Sequence, residues 1–322
     1  MQNANLSLVR KINYRLVWNQ LIESKESTIV SLEKQTGLSF PTINRAIEYG
    51  KSIGFIIDGK IENSQVGRRA QMYKVNPDYY HLLTIIANDN DLIYRIYNAN
   101  NIIIKESKID FSYDNFIENI DTLLEKLLID DILIQVVSIS FAGVVNDGII
   151  MDCLQNQGLC GFNAKEYLEN KYGILAEICN NVKTLAHYVN FKYKRDKKNN
   201  FAIIDCGYNG YACSIVANGE VLYGKNSFAG EICYLEDVPK INFSNDDYKK
   251  FILPIITVCA PYKIFLYTPL GDDFIDSFTK YVTESVQTYA MPNIIVCDNI
   301  ESDMFNGLYD IANAKKLELM IK

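Results

Sequence analysis

The sequence predicts an α/β protein in two parts. A small winged helix-turn-helix domain over residues 1–79 precedes a larger, two-lobed α/β body over residues 80–322. Three observations carry this. Ser27 to Arg45 reads as two short capped helices around a glycine turn. From Leu82 onward, strand-like and helix-like stretches alternate, and the alternation restarts near Phe201. The charge is also uneven. Residues 1–79 hold 11 Lys/Arg against 7 Asp/Glu, a balance of +4, which leaves −11 on residues 80–322 of a chain with net charge −7. A basic small domain on an acidic body suits nucleic-acid contact at the N-terminus alone.

Taken in order, Leu8 to Glu23 reads as an amphipathic supporting helix with Ile12, Leu16 and Leu21 inward. Thr28 can cap the next helix, whose inward residues are Ile29 and Leu32, and Gly37 can end it in the left-handed conformation. Ser39 is placed to cap a second helix, and Pro41 is tolerated in its first turn. Ile43, Ala46 and Ile47 then face inward, leaving Thr42, Asn44, Arg45 and Glu48 outward. Short polar side chains and an Arg at such a helix start suit a major-groove reading element. Phe55-Ile-Ile and Met72-Tyr-Lys-Val read as two strands around a loop that carries Lys60, Arg68 and Arg69, suited to backbone or minor-groove contact. The candidate DNA-binding set is therefore Ser39, Pro41, Thr42, Asn44, Arg45, Lys60, Arg68 and Arg69.

Asn76-Pro-Asp marks a turn and a domain boundary. Three strand-like runs follow: Leu82 to Ala87, Leu92 to Tyr97, and one from Ile102. Next come a helix over Ile117 to Leu128, a strand over Ile132 to Phe141, and a loop and turn over Ala142 to Gly148. A helix over Ala164 to Tyr172, a strand over Ile174 to Ile178 and a helix over Asn181 to Phe191 complete the first half. Phe191 to Asn200 is a basic connector, read as a solvated loop. The second half repeats the order. Strands at Phe201 to Asp205, Ala212 to Ala217 and Val221 to Tyr223 include a hairpin turn at Asn218-Gly219. Helices over Asp246 to Cys259, Phe274 to Tyr289 and Met304 to Leu319 alternate with strands at Lys263 to Tyr267 and Asn293 to Cys297. This repetition predicts a duplicated fold with a cleft between lobes, the first lobe covering about 80–195 plus the last helix and the second about 196–303.

No signal-peptide pattern opens the sequence and no apolar run approaches membrane-spanning length, so a cytoplasmic protein without membrane contact is expected. Eight scattered Cys without a C-x-x-C pair read as buried thiols, and His81 and His187 alone give a zinc site little to draw on.

These segments together resemble the ROK family of repressors and sugar kinases, over nearly the whole chain. Thr36-Gly-Leu-Ser-Phe-Pro-Thr-Ile-Asn-Arg is similar to the recognition segment of the family's repressors, and Gly67-Arg-Arg-Ala to their Gly-Arg-Pro-Ala wing. Ala142-Gly-Val-Val-Asn-Asp-Gly resembles the Pro-Gly-Pro-Val-Asp loop of the actin-like kinase body. Phe228-Ala-Gly-Glu-Ile-Cys-Tyr resembles its Gly-Glu-Ile-Gly-His motif, and Ala260-Pro-Tyr-Lys-Ile-Phe-Leu its Asn-Pro strand. The departures matter more. The Asp-x-Gly-Gly-Thr phosphate loop is matched by Ile86-Ala-Asn-Asp-Asn, and the Gly-Thr-Gly loop by Tyr208-Asn-Gly. A phosphate cradle needs backbone N–H groups at close approach, which Gly permits. The Asn-Asp pair whose Asp deprotonates the sugar is Asn180-Asn181 here, and a neutral amide is no general base. The zinc-motif His is Tyr234, and the segment after it is short and free of Cys.

The resemblance then implies a DNA-binding transcriptional regulator of carbohydrate metabolism, a repressor, with a catalytically inactive body and neither cofactor nor metal. Its partners would be double-stranded operator DNA, a sugar effector and a second or further copies of itself, as a homodimer or homotetramer. Gly143, Asn180, Asn181 and Glu231 stand at the effector positions. The alternatives at this stage are an active sugar kinase with an added DNA-binding domain, and a regulator whose body has lost sugar binding. In that last case Asn180 and Asn181 would serve only to cap the helix that follows them.

Overall fold

The computed structural model describes residues 2–62, 70–193, 200–207, 210–239 and 243–321. The N-terminal part consists of helix α1 (Gln2–Ser24), a two-residue strand β1 (Ser27–Thr28), helices α2 (Ile29–Thr36) and α3 (Phe40–Ser52), and strands β2 (Ile56–Glu62) and β3 (Ala70–Val75). The three strands form one sheet in the order β1-β3-β2. Thr28 caps α2 by accepting the Ser31 N–H at 3.2 Å, and Gly37 closes it at φ 70°. Ser39 holds the N-cap position of α3, but its side chain does not bond the helix backbone. Its hydroxyl instead shares a hydrogen bond with that of Thr42, at 3.1 Å.

Of the three residues that the periodicity turns inward on helix α1, Leu21 alone is buried. Ile12 and Leu16 are 48% and 40% exposed, while Tyr14, Val17, Trp18, Leu21 and Ile22 are buried. Rings select this face. Trp18 stacks on Tyr49 at 6.0 Å and lies 4.8 Å from Phe55, and its indole N–H donates to the Ala46 carbonyl at 3.0 Å.

The body starts with strands β4 (His81–Ala87), β5 (Asp91–Asn98) and β6 (Ile103–Asp110), helix α4 (Phe116–Asp130) and strand β7 (Ile134–Phe141). A small hairpin, β8 (Val144–Asn146) and β9 (Ile149–Asp152), replaces the simple loop expected there. Its turn, Asp147-Gly148, has φ of 48° and 81°, the positive values that an Asp-Gly hairpin turn requires. Helix α5 (Ala164–Tyr172), strand β10 (Leu175–Asn180) and helix α6 (Asn181–Lys192) follow. The second half runs β11 (Phe201–Gly207), β12 (Gly210–Ala217), β13 (Glu220–Val221), helix α7 (Ile252–Cys259), β14 (Lys263–Tyr267), helix α8 (Asp272–Ser285), β15 (Asn293–Cys297) and helix α9 (Ile300–Met320). The helix expected over Asp246 to Cys259 is broken at Phe251 (φ −121°), with a 3-10 turn before it.

Both halves share one topology. The sheets run β10-β7-β4-β5-β6 and β15-β14-β11-β12-β13, each an antiparallel meander extended by two parallel strands. Helices α4 and α5 cover the outer face of the first sheet, and α7 and α8 that of the second. α6 and α9 lie between the sheets, where Val182, Leu185, Phe305 and Leu308 meet Ile86, Phe201, Ile203 and Phe265. This is the two-lobed α/β fold that the sequence predicts.

The turn at Asn76 to Asp78 is present, with the Asp78 N–H bonded to the Asn76 side chain at 3.2 Å. Yet the hydrophobic core runs across it. Trp18, Ile47 and Phe55 share one buried cluster with Tyr80, Leu82 and Val136 of the body and with Tyr309 and Leu317 of α9. The Tyr49 hydroxyl donates to the Met320 carbonyl at 2.9 Å, and the Tyr80 hydroxyl to Asn313 at 2.6 Å. The last helix thus holds the N-terminal part against the body.

Candidate functional site

The outer face of α3 is one candidate. Its core side, Ile43, Ala46, Ile47 and Gly50, is fully buried, which turns Pro41 and Arg45 to solvent and leaves Thr42 and Asn44 partly exposed. Ser39 and Phe40 are exposed at its start. The first turn of a helix offers backbone N–H groups and a partial positive charge, so anionic groups are favoured there. Lys60 is exposed on β2, beside α3, and its backbone N–H donates to the Glu26 carboxylate. Arg68 and Arg69 lie outside the described residues.

The second candidate is a cleft of about 570 Å³ between the lobes. The C-terminal ends of β4, β7, β10, β11, β14 and β15 open into it, the usual place for ligands in sheets of this kind. All four expected effector residues border it. Asn180 is engaged at both ends of its amide: Nδ2 donates to the Gly143 carbonyl at 2.8 Å, and Oδ1 accepts the Lys183 N–H at 3.0 Å, capping α6. Asn181 accepts the Ser140 hydroxyl at 2.6 Å, while its own Nδ2 has no partner among the described residues. Gly143 is required by close approach, since a Cβ there would lie 2.4 Å from the Asp152 carbonyl.

Glu231 follows Gly230, whose φ of 89° places it where a Cβ would lie 2.3 Å from the Cys213 carbonyl. The Glu231 carboxylate lies 3.4 Å from the Nζ of Lys183, which is buried and also donates to the Ser227 carbonyl at 2.7 Å. Burial raises the Glu231 carboxyl above its ordinary value, and Lys183 opposes the shift. The Tyr234 hydroxyl is engaged with the Asp152 carboxylate.

At the first phosphate-loop position, the Asn88 N–H bonds the Asp91 carbonyl and its side chain the Asp91 carboxylate, both at 2.9 Å. That backbone donor is therefore closed to a phosphate. Tyr208, in the other loop, lies outside the described residues.

One cleft residue is absent from the sequence reading. Asp205 continues on β11 the row of Phe201 and Ile203, which face α6 and α9, and the row reaches the cleft at this carboxyl. It has no hydrogen-bond or ion-pair partner among the described residues, and burial pushes it up to about 7. The available signal is a charge ending an apolar run, Phe201-Ala-Ile-Ile-Asp. Asp89, Asp152, Asp205, Glu231 and Asp298 all border the cleft, and no Lys, Arg or His does so among the described residues.

No protein-family model and no curated protein matches the sequence. Solved structures do match the fold. A ROK family transcriptional regulator, a homolog of the E. coli Mlc protein, is 14% identical with a TM-score of 0.72, over 97% of this chain and 98% of its own. A ROK family protein from Streptococcus pneumoniae, solved in complex with sucrose, is 16% identical (TM-score 0.58) over 73% of this chain and 99% of its own. A ROK family glucokinase from Streptomyces griseus, in complex with glucose and AMPPNP, is 10% identical (TM-score 0.55) over the same shares. The chain thus has the ROK fold, and it shares with the ROK transcriptional regulator a full-length architecture that includes the N-terminal part.

Proposed function

We propose that the protein is a ROK-type transcriptional regulator, a repressor of carbohydrate genes. Residues 1–79 bind operator DNA and the body senses a sugar without phosphorylating it. The observation that carries this reading is the exposed face of α3, held on a ROK-type body by a common core. The full-length similarity to a regulator supports it, because the kinase structure is similar over 73% of the chain only. A protein with one reading helix per copy reads two half-sites as a homodimer or a dimer of dimers.

The test is a salt-dependent binding titration of the full-length protein on fragments from its own upstream region. Arg45→Ala is expected to cost about 1–3 kcal/mol and to relax sequence preference, because this side chain reaches base edges. Lys60→Ala should weaken binding to all sequences alike and reduce the salt slope by about one contact. The double change of Arg68 and Arg69 to Ala should reduce it by roughly one to two. Absence of binding to any fragment at low salt would remove the regulator reading. Selective binding unchanged by Arg45→Ala would move the reading element elsewhere.

The body is read as catalytically silent because Asn181 stands where a base is needed and the Asn88 N–H is closed. No ATP-dependent phosphorylation of hexoses, pentoses or amino sugars is expected, and Asn181→Asp should not restore any. Turnover that disappears on changing Asn181 would establish a kinase instead. As a binding element, Asn181 remains useful, since its Nδ2, without a partner among the described residues, can donate to a sugar hydroxyl beside Gly143, Asn180 and Glu231.

A further inference from the structure

We propose that the effector of the inter-lobe cleft is a cationic carbohydrate, a sugar bearing a free amine, whose ammonium group is met by Asp205. The inference rests on the sensor reading above and names the class of ligand for that same site.

The charge of the walls excludes most alternatives. Five carboxylates border the cleft, and no cationic side chain does among the described residues. A phosphorylated sugar would bring two negative charges into this field with no cation among the described lining residues to pair them. A neutral sugar would leave the field uncompensated. Not all five carboxylates are equally available. Glu231 is paired with Lys183, and Asp152 takes hydrogen bonds from Tyr234 and from Gln157. Asp89 and Asp298 are exposed to solvent. Asp205 remains: it is partly buried at the end of β11 and has no side-chain partner among the described residues. A desolvated carboxylate gains most from a cation that reaches it, and a charge-assisted hydrogen bond is about twice as strong as a neutral one.

The rest of the cleft fits a sugar body. Its volume, about 570 Å³, lies within the usual range for small-molecule sites. The Asn181 amide can donate to a hydroxyl, and the rings of Tyr234 and Phe243 border the cleft and offer apolar faces. An aromatic face also favours a neighbouring ammonium group. On the ribbon, Asp205 and Asn181 come from opposite sides of the cleft, one from the second sheet and one from the start of α6. A ligand that uses both would bridge the lobes.

The experiment is calorimetry on the full-length protein at pH 7 and low salt, with glucosamine, glucose, N-acetylglucosamine and glucosamine 6-phosphate as probes. Glucosamine should bind about tenfold or more tightly than the other three, and added salt should erode that advantage. In Asp205→Asn, which keeps the shape of the side chain, the preference should fall to within roughly threefold of glucose. Asp276→Asn, at an exposed carboxylate of α8 outside the cleft, should leave the preference in place. If glucose, N-acetylglucosamine or the phosphorylated sugar binds as tightly as glucosamine, the charge inference is overturned and the sensor reading stands. An amine preference that survives Asp205→Asn in a folded variant likewise overturns the role of Asp205. If no sugar of a wider panel binds, the sensor reading falls and the inference falls with it.

Discussion

Trp18→Ala is expected to cost about 3–5 kcal/mol and to abolish operator binding. Trp18 is fully buried, and its removal opens a cavity between Tyr49, Phe55 and the Ala46 carbonyl that its N–H satisfies. The loss is not confined to the N-terminal part. The same buried cluster includes Tyr80, Leu82 and Tyr309, so loosening α1 also loosens the seat of α9 on the first sheet. Ile12→Ala and Leu16→Ala, on the exposed side of the same helix, should each change stability by about 0.5 kcal/mol or less. Urea unfolding followed by far-UV circular dichroism compares the three variants. Equal losses at Trp18 and Ile12 would contradict the packing described for α1.

That contrast also shows where sequence reading reaches its limit. α1 carries apolar residues on most of its sides, from Leu8 and Val9 through Ile12 and Leu16 to Val17 and Leu21. Periodicity cannot choose among them, and the choice falls to aromatic partners distant in sequence. Where local chemistry determines the conformation, the reading succeeds. The Thr28 cap, the Gly37 stop and the Asn218-Gly219 turn (φ 54° and 78°) all stand where expected, as do the repeated strand order and the helix over Ala164 to Tyr172. The β8–β9 hairpin was legible in Asp147-Gly148 but reads as a loop when its flanks are taken as one motif. In the cleft, Asn180 and Glu231 are visible by resemblance. The cap that Asn180 makes is legible as well, in the Asn that precedes the helix, whereas the buried Lys183 beside Glu231 is not, because it depends on how α6 meets the second lobe. Asp205 falls between motifs, and only the facing of β11 reveals it.

Asp205→Asn is expected to stabilise the ligand-free protein, and to do so increasingly as pH rises. The folded protein holds the carboxyl at about 7, against an ordinary 3.8. Between those values the folded state keeps a proton that the unfolded chain has released. Stability from this group is therefore complete below 3.8 and is lost as pH rises through 7. Between pH 5 and 8, the gap between variant and wild type should widen by about 2–3 kcal/mol in favour of the variant. Asp310 of α9 is also pushed up to about 7, by burial and by the charge of Glu23, with the same sign. Wild-type pH dependence contains both groups, so only the difference between wild type and Asp205→Asn isolates the cleft carboxyl. Urea midpoints at several pH values give that difference. A gap that does not change with pH would mean that Asp205 ionises as a solvated acid, with no cost to relieve. A widening gap that a saturating amino sugar removes from the wild type alone would place the cost where a ligand offsets it. A carboxylate that destabilises the empty fold is then explained by what the cleft binds, the ordinary exchange between stability and function at a site.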